Sequence, residues 1–379
     1  MEPTIHRGLA GVYVDTSHIC HIDGERGQLV YRGYDISELT EASYEEVVYL
    51  LWRGELPTRD ALDAFRRELA PLFALPDGVL DALRQMPKDT EPMHALRTAV
   101  SLLAAYDEDP DGVEEANVQR IGTALLVRFP ALVATFERLR QGLEPIAPDP
   151  ELSIAGNFLY MLTGEVPSEA ATRVMDVALV LHAEHGSNAS TFVARSTASS
   201  LTDVYSAITA AIGSLKGPLH GGANAAVMGA LESIGSVDAV EGYVLDMLAK
   251  PKGRVMGFGH RVYRVLDPRA AILREVAERL AEESGDSRWF EMSLEMERVM
   301  DREMEKKGRE VKPNVDFFSA SVYRMLGFPT DQYTPIFAVA RISGWMAHLF
   351  EQYADNSLMR PRIHYLGETG KRFVPIDER

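Results

Sequence analysis

The sequence predicts an all-α protein, multi-helical and two-domain, with one minor β-hairpin near its N-terminus. Three observations carry this. Segments with apolar residues at helical spacing, most of them punctuated by capping residues, Gly or Pro, follow one another along most of the 379 residues. Only one stretch has the β-branched and aromatic pattern, broken by a Gly-rich turn, that paired strands require. One segment, "SEAATRVMDVALVLHAEH", is apolar on nearly every face in its second half, and a helix of that kind needs a bundle around it.

Taken in order, residues 11–33, "GVYVDTSHICHIDGERGQLVYRG", predict the hairpin, with its turn at 23–27. Ser43 and Glu46 then form a capping box for a helix through Val47, Val48, Leu50 and Leu51 that stops at Gly54 and Pro57. Further helices are expected at 58–70, 92–106, 114–141, 151–163, 168–185, 203–215, 221–233, 236–249, 267–284, 287–307, 315–326 and 334–354. Pro167 and Ser168 open the interior helix, and Asp267 with Pro268 opens the one at 267–284. No repeat or low-complexity tract divides the chain, so the lobe boundary is read from the Gly and Pro punctuation at 216–222.

Composition narrows the function. Acidic residues number 56 against 39 basic, a net charge of −17 whose average field repels nucleic acid. The surplus serves solubility or a salty cytoplasm. The longest run free of Asp, Glu, Lys and Arg is 217–231, and it holds His220 and several Gly, so no membrane span is expected. A single cysteine, Cys20, forbids an internal disulfide, and the opening residues lack the pattern of a secretory signal. The expected location is cytoplasmic.

Against that acidic background, residues 250–269, "KPKGRVMGFGHRVYRVLDPR", carry six Lys or Arg and one Asp. Gly257 and Gly259 let backbone approach a ligand, His260 follows, and Arg261, Arg264 and Arg269 add fixed positive charge: an anion site, with a solvated basic loop as the alternative. In "GPLHGGAN", His220 lies at or beside a helix N-terminus, where free N–H groups disfavour imidazolium. A neutral histidine there donates to a developing oxyanion; the alternative is a capping or core histidine. Asp316 in "NVDFFSA" is either a helix cap or a base whose aromatic neighbours raise its proton affinity. In "LVLHAEHGSNAST", His182 and His185 sit three apart on the interior helix. The order His, Ala, Glu, His fails the zincin pattern, which leaves His185 and Asn188 as uncharged donors and His182 as a core histidine. Arg341 and Arg360, surface arginines when taken singly, join Arg269 as a set suited to carboxylates.

Together "VLHAEHGSNAST", "GPLHGGAN", "GFGHRVYRVLDPR", "NVDFFSA" and "ARISGWMAHLFEQYADNSLMRP" resemble the citrate synthase family, from about Gly8 to the C-terminus. The resemblance implies a helical homodimer. Its large domain would be 1–219 with 321–379, and its small domain, 220–320, would close over the substrates. By motif, His220 falls on the thioester carbonyl of acetyl-CoA, His260 on the oxaloacetate ketone, and Asp316 becomes the base. Arg269, Arg341 and Arg360 grip carboxylates, Arg360 from the partner subunit, and His185 and Asn188 complete that pocket. Arg254, Val255, Met256, Gly257, Phe258, Gly259 and Arg264 match the CoA-binding positions. Acetyl-CoA is then a co-substrate, with no metal and no other cofactor. Ala225 departs from the family, many members of which are acidic there, and the missing N-terminal segment of the larger NADH-regulated hexamers implies the small dimeric type. A 2-methylcitrate synthase acting on propionyl-CoA is the runner-up, and a non-catalytic CoA- or polyanion-binding regulator is the reading from another class.

Overall fold

The computed structural model describes residues 3–9 and 11–379. Among them lie sixteen α-helices and one small sheet. The sheet is antiparallel, with β1 (Cys20–Asp23), β2 (Gln28–Tyr31) and β3 (Tyr34–Asp35) in that order, and Asp23 paired to Gln28 across the expected turn. Asp35 caps α1 (Ile36–Leu39). The capping box of Ser43 and Glu46 starts α2 (Tyr44–Arg53), and Gly54 ends it in the left-handed conformation. Then come α3 (Arg59–Leu69), α4 (Asp77–Gln85), α5 (Pro92–Leu103), α6 (Glu115–Gln141) and α7 (Ile154–Thr163).

The interior helix is α8 (Glu169–Ala183), buried at every residue from Met175 to Ala183. It stops before His185. Tyr31 Oη donates to the Glu184 carbonyl at 2.7 Å and accepts from its N–H at 3.2 Å, holding Glu184 in an extended conformation. His182 and His185 are therefore not on one helix face, contrary to the sequence expectation. Next are α9 (Ala189–Ala198), α10 (Val204–Leu215), α11 (Ala223–Ile234), α12 (Val237–Ala249), α13 (Pro268–Ser284), α14 (Arg288–Glu305), α15 (Val315–Met325) and α16 (Tyr333–Ala354). Helix α16 is buried without a break from Tyr333 to Leu349 and packs on α2, α6, α8 and α9. Helices α11 to α15 pack mainly on one another, α13 on α15 and α12 on α14.

Three helices escaped the sequence reading. Helix α1 is a single turn. Helix α4 opens with Pro-Asp-Gly and has no side-chain cap, so it reads locally as a turn; burial of Val79 and Leu83 makes it helical. Helix α9, "ASTFVARSTA", is rich in Ser, Thr and Val, poor helix formers, but Asn188 caps it and Ser190, Thr191, Ala194, Arg195 and Ala198 are buried on it.

Candidate active site

The loop before His260 is laid across the start of α15. Gly259 N–H donates to the Lys312 carbonyl at 2.8 Å, Asn314 N–H to the Gly257 carbonyl at 2.9 Å, and Asn314 Nδ2 to the Gly259 carbonyl at 2.9 Å. Gly257 has φ 82°, and a Cβ there would come within 2.8 Å of both Phe317 and Val227, so only glycine fits this close approach. His260 Nδ1 accepts two backbone N–H bonds, from Val262 at 3.1 Å and Tyr263 at 3.2 Å. Its proton therefore sits on Nε2. Burial and the charge of Arg269 lower its pKa to about 4, so the ring is neutral. Its ring lies 5.2 Å from that of His185, whose Nε2 meets the Tyr263 hydroxyl at 3.2 Å. His185 is buried, and burial with the nearby cations holds its pKa well below the usual value.

His220 is neutral for a related reason. It precedes α11, as expected, but the N–H it meets comes from the unforeseen helix α9. Ser190 N–H donates to His220 Nε2 at 3.2 Å, which leaves the ring proton on Nδ1. Ser190 Oγ lies 2.8 Å from the same nitrogen and accepts from Trp345 Nε1 at 3.1 Å. Burial, then Arg341, lowers His220 to about 4. Asn188, expected as a ligand donor, is the N-cap of α9: its Oδ1 accepts from Thr191 N–H at 3.2 Å and from Ser190 Oγ at 2.9 Å.

Asp316 is not a cap. The N-cap of α15 is Asn314, whose side chain accepts from Asp316 N–H at 3.0 Å. Asp316 Oδ1 is buried without a hydrogen-bond partner, and desolvation raises the carboxyl from 3.8 to about 7 against the pull of Arg269 and Arg341. Arg269 is buried and clamped by Asp267, Nε to Oδ1 at 3.0 Å and Nη2 to Oδ2 at 2.8 Å. Arg341, also buried, donates Nε to the His182 carbonyl at 2.7 Å and lies 4.7 Å over the Phe337 ring, whose centroid is 6.4 Å from that of His220.

The structure thus brings His185, His220, His260, Asp316, Arg269 and Arg341 within one another's electrostatic reach, directly or through a shared neighbour. Val255 is buried, and the Phe258 ring packs tilted against that of Phe317, centroids 4.6 Å apart. Arg254, Arg264 and Arg360 are exposed, outside the buried set. Ser190, Tyr263, Trp345 and the Asp267 clamp went unread in the sequence; only Asp267, two positions before an arginine, carried a local signal. A cavity of 390 Å³ lined by Glu45, Arg66, Phe73 and Leu152, among others, lies elsewhere and contains none of the cluster. Among the described residues no three His, Cys, Asp or Glu are placed to hold a metal, and no helix is long and apolar enough to cross a membrane.

The model of the citrate synthase C-terminal domain family matches residues 8–362. A citrate synthase of Haloferax volcanii is 51% identical over all of both chains, and citrate synthase 2 of Bacillus subtilis is 47% identical over 99% of this chain and all of that one. Two 2-methylcitrate synthases of Corynebacterium glutamicum match at 40% and 41% over nearly all of both chains. Among solved structures, the citrate synthase of Thermoplasma acidophilum, determined with carboxymethyl coenzyme A and oxaloacetate, superposes with a TM-score of 0.92 at 33% identity, over 99% of this chain and 100% of that one. An all-α fold, the motif set and full-length likeness agree: the chain belongs to the citrate synthase family.

Proposed function

We propose that the chain condenses acetyl-CoA with oxaloacetate and hydrolyses the resulting citryl-CoA to citrate and CoA. The observation that carries this is the pair of fixed tautomers: His220 offers Nδ1–H and His260 offers Nε2–H, each held by backbone donors on the opposite nitrogen. Two neutral donors and one carboxylate poised near 7 suit enolisation followed by carbonyl addition. Asp316 removes a methyl proton of the acetyl group, and His220 stabilises the oxygen as enolate character develops. The methyl carbon then adds to the oxaloacetate ketone while His260 hydrogen-bonds the forming alkoxide, and water cleaves the thioester. In this reading acetyl-CoA is the co-substrate, and no metal or further cofactor takes part.

Arg269, Arg341, His185 and Asn188 bind oxaloacetate in this reading, with Arg360 supplied by the partner of a homodimer. Arg254 and Arg264, with the loop 255–259, hold CoA. Support for the dimer comes from the segment after α16, where Leu358, Ile363, Leu366 and Phe373 are 63%, 94%, 86% and 79% exposed and call for cover. Residues 220–320, which hold α11 to α14 and the start of α15, act as the small domain closing on 1–219 and 321–379. Closure keeps water from the thioester until condensation is complete. One free cysteine, Cys20, fits a reducing cytoplasmic location.

Release of CoA by purified protein with oxaloacetate and either acetyl-CoA or propionyl-CoA tests this. Faster turnover with acetyl-CoA is expected; preference for propionyl-CoA makes it a 2-methylcitrate synthase, since one methylene is worth only about 1–3 kcal/mol in a pocket. No release with either donor overturns the enzymatic reading in favour of a CoA binder.

A further inference from the structure

The reaction as proposed leaves a buried acid beside the oxaloacetate site without a role. Glu184, just past the end of α8, is fully buried. Its Oε1 accepts from His348 Nε2 at 2.9 Å. The Arg195 guanidinium, which can only donate, faces His348 Nδ1 at 3.4 Å, so His348 presents its Nε2–H to Glu184. Arg195 is in turn held by Asp15 and by Gln352 Oε1. Glu184 Oε2, also buried, has no hydrogen-bond partner.

That free oxygen rests against the backbone of α16. A Cβ built on Gly344 would lie 2.3 Å from Oε2 and 2.3 Å from the Ala183 carbonyl. Arg341 is one turn earlier on the same face of α16. Burial disfavours its charge, Glu184 opposes that effect most strongly, and Arg269 adds to it. The two buried guanidiniums thus have separate resident anions. Asp267 forks onto Arg269, whereas Glu184 acts on Arg341 through space.

Resting on the reading that these arginines take a dicarboxylate, we propose that Glu184 is a positioning residue for that substrate. It is a fixed counter-ion that stabilises Arg341 in the empty site and weakens dicarboxylate binding in the filled one. A buried arginine without an anion is strongly destabilising, so the empty protein needs the charge. Once the substrate carboxylate arrives, the same charge repels it. The site therefore trades affinity for a stable empty state and for release of an anionic product.

The variant Glu184→Gln keeps the shape and the acceptor for His348, removes the charge and puts an amide NH2 in place of the unpartnered oxygen. Its thermal midpoint without ligand is expected to fall, while the midpoint rise on adding oxaloacetate grows. Its KM for oxaloacetate is expected to drop roughly tenfold, the size of a unit charge felt across about 12 Å at an effective dielectric of about 20. The KM for acetyl-CoA stays within about twofold, a split that general loosening of the fold does not give. If the variant does not fold alone, recovery of the fold by added oxaloacetate is the expected result. Unchanged or weaker oxaloacetate binding, or no recovery, overturns the role of Glu184. Absence of an oxaloacetate effect on the unaltered protein instead overturns the dicarboxylate reading itself.

Discussion

Asp316 shows how function and stability oppose each other at a single residue. Its carboxyl titrates near 7 in the fold and near 3.8 when unfolded, so between those values the native state holds the proton that the unfolded chain has lost. This favourable contribution is complete below about pH 4 and disappears as pH rises through about 7. Asp316→Asn is expected to abolish condensation and to be more stable than the unaltered protein at pH 8, with the two urea midpoints converging toward pH 4. Parallel midpoints across that range count against a desolvated carboxyl. In activity the sign reverses, because the base must be ionised. The acid limb of kcat/KM is expected to rise through about pH 7, with no second ionisation from His220 or His260, both neutral above about 4.

At the level of the helix, α9 joins cap and site. Asn188 supplies the cap, Ser190 supplies the N–H that sets the His220 tautomer, and both stand in the first turn. Asn188→Ala is expected to cost about 1 kcal/mol in chemical denaturation. Asn188→Asp caps equally well but adds a negative charge, so stability is expected to hold while KM for oxaloacetate rises several-fold. An Asn188→Asp protein unchanged in both stability and KM for oxaloacetate argues that Asn188 only caps. None of this was legible locally, because Ser190 and His220 are 30 residues apart and the α9 segment is weakly helical by composition. The turn at His260 and the aromatic pair beside Asp316 act through near neighbours and were legible, whereas Gly257 and Gly259 act on Val227, Lys312, Asn314 and Phe317, far along the chain. What the sequence reading misjudged there was a two-residue matter, with Asn314 taking the cap it assigned as the alternative to Asp316.

For the whole molecule, the helix succession and the interior α8 were readable because caps and burial patterns are short-range signals. The central place of α16 was not, since its neighbours come from all over the chain. Two measurements belong at this scale. With a net charge of −17, raising salt from tens of millimolar to molar is expected to raise the thermal midpoint by screening self-repulsion. A midpoint that falls with salt points instead to dominant ion pairs, of which Arg140 with Glu137 and Asp331 is one buried-side example. Arg360→Ala subunits mixed with Asp316→Ala subunits are expected to regain part of the activity through hybrid sites. No recovery in verified heterodimers places Arg360 outside the partner's site.

The bare stretch of α16 at Gly344 has an evolutionary corollary. A methyl group there meets a carboxylate on one side and a main-chain carbonyl on the other. Mutational drift at position 344 is thus barred twice. A lineage that discarded the acid at 184 would still meet the Ala183 carbonyl, and could enlarge residue 344 only by prising two helices apart.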